Sequence, residues 1–263
     1  MKLEILSEKP KGTPKQTPIL FVHGAWHGAW CWEKFLPYFA DKGHAAYALS
    51  LRGHGNSERP SRFSWMRITD YVDDVAHVVD QLPDKPVLVG HSMGGLVVQK
   101  YLENHSGPGA VLLAPVPLKG VLGTTLRIAR RHPIAFLKAN LTWSLYPLVS
   151  SPKLARESFF SDDMPDDVFQ RYHHQLQDES YMAFMDMLIF KFSAPHKVKA
   201  DILILGAEND TIFHVDEMEE TAAAYDLQAG IFDNMAHDMM LEKNWQAVAD
   251  RIIAWLGKKG LGA

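Results

Sequence analysis

Ser92 lies in Gly90-His91-Ser92-Met93-Gly94, a G-x-S-x-G pentapeptide between an apolar run at 87–89 and a helical stretch at 94–104. A strand turning sharply into a helix is the context in which this pattern presents a nucleophile. Gly90 and Gly94 avoid clashes where the chain folds back on itself, and the following helix N-terminus favours developing negative charge. A serine hydroxyl attacks only when a base takes its proton. The chain has 13 histidines, so position selects among them. His237, in Asn234-Met235-Ala236-His237-Asp238, follows an apolar run at 229–232 and precedes the last helical stretch. The acid that orients such a base belongs after an earlier strand. Gly206-Ala207-Glu208-Asn209-Asp210 follows the run 202–205, and Asp210 is preferred there over Glu208. Asp238 adjoins His237 and is awkwardly placed for the correct ring nitrogen. Serine, acid, histidine is then the chain order. Two backbone N–H groups should hold an oxyanion: Met93, after the nucleophile, and Ala25, in the loop His23-Gly24-Ala25. His23 reads as structural, His91 as turned away from Ser92, and His173 and His174 as surface residues.

These groups need a scaffold. Apolar runs at Ile19–Val22, 45–51, 87–89, 110–114, 202–205 and 229–232 read as strands, and 69–82, 94–104, 214–225 and 244–256 as helices. At 69–82 the apolar residues recur at helical spacing and Asp70, Asp73 and Asp74 favour the helix start. The alternation predicts an α/β fold, a mostly parallel sheet covered by helices on both faces. Between 116 and 199 the pattern changes. Six prolines and helical stretches around 124–140 and 168–192 predict a helical cap at 118–195, with 1–117 and 196–263 forming the core. Its many Leu, Phe and Met side chains suit an adaptable apolar pocket; Trp26, Trp30, Trp143 and Tyr146 are candidate wall residues. Arg127, Arg130 and Arg131 read as a solvated helix face rather than an anion site.

Composition excludes other classes. Of 263 residues, 47% are hydrophobic and 22% charged, with net charge −4 and pI about 6.3, which is no nucleic-acid footprint. Cys31 is the sole cysteine, so no intrachain disulfide forms. Residues 1–18 lack the apolar core of a signal peptide, and no apolar run reaches about 18 residues. A cytoplasmic protein without stable membrane insertion is expected, acting on a small molecule. No H-E-x-x-H or comparable spacing predicts a metal, and no cofactor is expected. The sequence is silent on oligomeric state.

Four separated motifs, His23-Gly24-Ala25, Arg52-Gly53-His54-Gly55-Asn56-Ser57, Gly90-His91-Ser92-Met93-Gly94-Gly95 and the pair Asp210 with His237, resemble those of the α/β-hydrolase superfamily. The stretch His23-Gly24-Ala25-Trp26-His27-Gly28-Ala29-Trp30-Cys31-Trp32 resembles the plant methylesterase and hydroxynitrile lyase group. Ala236-His237-Asp238-Met239-Met240-Leu241-Glu242 is similar to the monoacylglycerol lipase branch. The resemblance implies a serine esterase working through an acyl-enzyme on an uncharged, fairly apolar carboxylic ester, with a helical cap where 116–199 falls. The same machinery would also serve a lactonase, or a lyase or C–C bond hydrolase. A receptor keeping the triad is the alternative outside catalysis, and Ser92 argues against a dehalogenase, which wants a carboxylate nucleophile.

Overall fold

Residues along the central strands alternate between two buried faces, as the two-residue period of a strand requires. In the computed structural model, which describes residues 1–14, 17–189 and 194–262, strands β1 (Glu4–Glu8), β2 (Ile19–Val22), β3 (Ala46–Ser50), β4 (Val87–His91), β5 (Gly109–Leu113), β6 (Asp201–Ala207) and β7 (Gly230–Phe232) form one sheet in the order β1-β3-β2-β4-β5-β6-β7. All neighbours are parallel except β1, which pairs antiparallel with β3. Phe21, Val89, Val111 and Leu203 enter one apolar cluster, closed by Phe35 and Phe39 of α1 (Phe35–Asp41) and Val248 and Ile252 of the C-terminal helix. Leu20, Leu88, Leu112 and Ile204 enter the other, beneath α2 (Ile68–Val79) and α3 (Met93–Leu102). Strands buried on both faces read as continuous apolar runs, which is why β2 and β4 to β6 were legible.

Between β5 and β6 lie α4 (Leu122–Arg131), α5 (Pro133–Thr142), α6 (Pro152–Phe159), α7 (Asp166–His173) and α8 (Tyr181–Ile189), with no strand among the described residues. The fold closes with α9 (Val215–Ala223) and α10 (Trp245–Lys258). Both long helical stretches expected here are broken. Pro133 starts a new helix, because it has no N–H to donate and its ring clashes with the preceding turn. Residues Gln177 to Ser180 leave the helix to bond the core. The Gln177 side chain accepts from Gly55 N–H at 2.6 Å, and buried Glu179 accepts from the Tyr71 hydroxyl at 2.6 Å and lies 3.1 Å from His54 Nε2. Phe190 and the end of the stretch to Phe192 lie outside the described residues. Three elements went unread: β1, a half-exposed edge strand too polar to stand out, and the short helices α1 and α6. No described helix is long and apolar enough to cross a membrane.

Candidate active site

Loops at the carboxyl ends of β2, β4, β6 and β7 carry the chemistry-bearing residues, where open parallel sheets place their ligands. β4 ends at His91, and Ser92 follows with φ 51° and ψ −118°. Positive φ is costly for a residue with a side chain and persists only where its surroundings over-determine it. Here they do: Ser92 N–H donates to Leu113 at 2.9 Å, and its carbonyl accepts from Gly95 at 2.9 Å. A Cβ on Gly90 would strike the Gly94 carbonyl, and one on Gly94 the Val22 and His23 carbonyls. Neither position admits alanine without moving backbone.

The Ala25 loop rests against this turn; a Cβ on Gly24 would come 2.9 Å from that of Ser92. Among the described residues neither Ala25 N–H nor Met93 N–H is taken by an acceptor, leaving both available as donors. His23 Nδ1–H donates to the Gly24 carbonyl at 2.7 Å while its Nε2 accepts from Leu51 N–H at 3.0 Å. The Gly24 carbonyl and the Ala25 N–H share one peptide plane, so His23 fixes the direction of that N–H. Burial, then the neighbouring His54 and His27, hold the His23 ring well below its ordinary pKa, in keeping with a neutral ring.

His237 Nδ1 lies 2.7 Å from Asp210 Oδ2, both side chains buried. Asp210 Oδ1 accepts from Ile212 N–H at 2.7 Å and Phe213 N–H at 2.9 Å, which anchors the carboxylate. Burial pulls the His237 pKa down, but the charge and hydrogen bond of Asp210, with Asp238 behind, raise it overall. Glu208 is exposed and accepts from Asn234 N–H.

Two further buried histidines support these loops: His27, to which the sequence assigned no role, and His91, expected only to turn away from Ser92. His27 Nδ1–H donates to the Ala25 carbonyl at 2.7 Å, and its Nε2 lies 2.9 Å from Asp238 Oδ2. His91 Nε2–H donates to the His237 carbonyl at 3.0 Å and lies 3.7 Å from Asp238 Oδ1. Burial, reinforced by His237, holds His91 down to about 3, a neutral ring. Burial would raise the Asp238 carboxyl, yet the charge and hydrogen bond of His27 lead the effects that lower it overall. Asp238 thus ties the Ala25 loop to the His237 loop. The sequence signal was present in the second histidine of His23-Gly24-Ala25-Trp26-His27, which spacing alone could not assign. His173, expected at the surface, is buried with Nε2 bonded to the Val149 carbonyl.

Of the wall candidates, Trp26 is half-buried at φ 65°. Its Nε1–H donates to the Leu145 carbonyl and its own carbonyl accepts from Gln177. Trp30 stacks between His27 and Tyr172. Trp143 and Tyr146 are exposed, Trp143 stacking on Tyr181. The phenyl rings beside His237 include Phe213 at 5.4 Å and Phe159 of α6 at 6.2 Å, with the His91 imidazole nearer at 4.7 Å. A cleft of about 1080 Å³ passes beside Asp210 and is lined by Arg127, His132, Glu157 and Asn234, with Ser92 outside its lining. His91, His237 and Asp238 offer ligand atoms within 4.8 Å of one another, but all three side chains are already hydrogen-bonded or charge-paired as above.

A doubly wound sheet with these loops at its carboxyl edge is an α/β protein of the hydrolase type. A sequence model described as "Alpha/beta hydrolase family" matches residues 19–251, and the chain belongs to that family. It is 40% identical over 80 residues to Methylesterase 3 of Arabidopsis thaliana, a match spanning 30% of each chain, so under a third of that relative's length is covered. Among solved structures it is similar to a thermophilic esterase from Thermogutta terrifontis, with TM-score 0.76 and 19% identity over 98% of this chain and 93% of that one. It is also similar to a Paleococcus ferrophilus monoacylglycerol lipase, with TM-score 0.75 and 21% identity over 98% and 100%. At such identities the structural likeness concerns the fold.

Proposed function

We propose that the protein is a carboxylic ester hydrolase in which Ser92, His237 and Asp210 act as nucleophile, base and orienting acid. The observation that carries this reading is the 2.7 Å bond between buried His237 Nδ1 and Asp210, in a loop that His91, the residue before Ser92, holds by its backbone carbonyl. With Nδ1 donating, Nε2 is the basic nitrogen. It takes the Ser92 proton as Oγ attacks the ester carbonyl, and the Ala25 and Met93 N–H groups receive the oxyanion. His237 then protonates the departing alkoxide. Water attacks the acyl-serine by the reverse path, releasing acid and alcohol. Residues 118–195 act as a cap, and Phe159 and Phe213 beside His237 suit an uncharged, apolar acyl or alcohol group. The methylesterase match over part of the chain and the esterase-like fold agree with this chemistry.

The test is a p-nitrophenyl ester series of increasing acyl length, with monoacylglycerols and acyl-homoserine lactones alongside. Turnover of uncharged open-chain esters is the expected result. Turnover of none would overturn the reading, and a clear preference for the lactone ring would replace it with a lactonase.

Asp238 has a different expected signature. Asp238→Asn removes the charge paired with His27, and breaking a buried pair costs about 3–5 kcal/mol. We expect a lower Tm and a fall in kcat with KM little changed, because the oxyanion donors lose alignment rather than the substrate its pocket. A KM effect alone would show that Asp238 shapes binding instead.

A further inference from the structure

Between Glu103 and Glu157 the chain carries seven Lys and Arg residues and no acid. The remainder holds 20 Lys and Arg against all 31 acids. A chain of net charge −4 thus gathers a +7 segment against a balance of −11 elsewhere. Most of these cations are paired: Arg127 with Glu217, Lys119 with Glu220, Arg156 with Asp166. Exposed Arg130 and Lys138, on α4 and α5, have no acidic partner among the described residues.

The same region turns its apolar side chains outward. A surface helix ordinarily buries its apolar stripe. On α5 only Ala139 is buried, while Ile134, Leu137 and Leu141 are 84%, 59% and 74% exposed. Their spacing, i, i+3 and i+7, puts them on one face, and Lys138 falls within that stripe. Trp143, just beyond α5, is also exposed, its ring 5.7 Å from that of Trp65, which is 58% exposed. Exposed apolar residues clustered in this way mark an interaction surface.

We infer that the outward face of α5, with Trp143 and Trp65 at its end and Arg130 and Lys138 beside it, docks on an anionic lipid surface. The chemistry fits that occupant. The aliphatic stripe enters the headgroup–acyl boundary, indole rings favour the interface, and the cations meet lipid phosphates. A second copy fits less well, since a two-fold contact through this face would set Lys138 against its own counterpart. Docking is peripheral, because α5 is ten residues long, too short to span a bilayer. The inference does not rest on the esterase reading, as none of these residues belongs to the Ser92 site.

The experiment is co-sedimentation of the full chain with phosphatidylcholine vesicles, with and without phosphatidylglycerol, at low and high salt. The wild type should partition onto the anionic vesicles, weakly onto neutral ones, and be released by salt. Ile134→Ser/Leu137→Ser/Leu141→Ser and Arg130→Glu/Lys138→Glu should each lose on the order of tenfold in partition. Hydrolysis of a soluble p-nitrophenyl ester and Tm should stay unchanged in both; the charge variant alters exposed side chains only and guards against a folding failure of the first. The proposal is overturned by wild type remaining in the supernatant, by equal binding to neutral vesicles, or by variants that bind as the wild type does. It is also overturned if the face drives self-association, seen as a dimer in sedimentation velocity that the triple serine variant abolishes.

Discussion

Ser92→Ala is expected to abolish ester turnover, with a fall in kcat of about a millionfold, the scale seen when a comparable serine nucleophile is removed. The fold should persist. Alanine keeps the Cβ that already sits against Gly24, and the bonds from Ser92 that hold the turn are backbone ones, to Leu113, Gly95 and Val116. Circular dichroism and Tm close to wild type, beside absent p-nitrophenol release, are the expected pair of results. Substantial turnover in the variant would remove Ser92 from the mechanism. The wild type should also form a stable adduct on Ser92 with a fluorophosphonate, read by intact mass, and the variant should not.

Asp210→Asn should reduce kcat on the order of 10⁴-fold, because an amide can present its NH₂ to Nδ1 and trap the wrong tautomer. A second readout separates this role from simple packing. Asp210 raises the His237 pKa against the pull of burial, and the base must be neutral to accept the Ser92 proton. Wild-type kcat/KM should therefore rise with pH as the ring deprotonates, with the limb above the ordinary histidine value of about 6.5. Without the aspartate charge, burial dominates and the limb of the residual activity moves to lower pH. Stability follows the same linkage. A raised histidine pKa stabilises the fold below its unfolded value, and that contribution is lost as pH rises through the folded one. The Tm deficit of the variant should be largest in acid. Glu208→Gln, which alters an exposed carboxylate bonded to Asn234 N–H, should leave turnover nearly unchanged; a severe effect there alone would reassign the acid.

Much of this arrangement was legible in the chain because its signals are local. Strands β2, β4, β5 and β6 are buried on both faces and stand out as apolar runs. The elbow is legible because its pentapeptide is continuous and Gly90 answers a steric demand from Gly94, four residues on; the demand on Gly94 comes from the Val22 and His23 carbonyls, which only the fold brings there. The order of Ser92, Asp210 and His237 follows from which strand ends carry polar residues. The edge strand β1 lacked such a signal: its register with β3 is fixed by a partner some 40 residues away, and its own residues are half-exposed.

What tertiary structure alone decided is everything that depends on one loop meeting another. The sequence places His27 and Asp238 211 residues apart, and no spacing rule relates them. Only the fold brings the Ala25 loop and the His237 loop to the same sheet edge, where a buried carboxylate joins them. The helices between β5 and β6 are the same case in reverse. Their composition can be read from the chain, apolar and basic through α4 and α5 and acidic from Glu157 onward, but which side chains pack inward and which are left in water is settled by packing. The sequence by itself determined that Ser92 heads a strand-to-helix turn with an acid and a histidine after later strands. The tertiary structure decided which buried groups brace that serine's surroundings, because close contact between distant segments is a property of the packed chain and not of its local pattern.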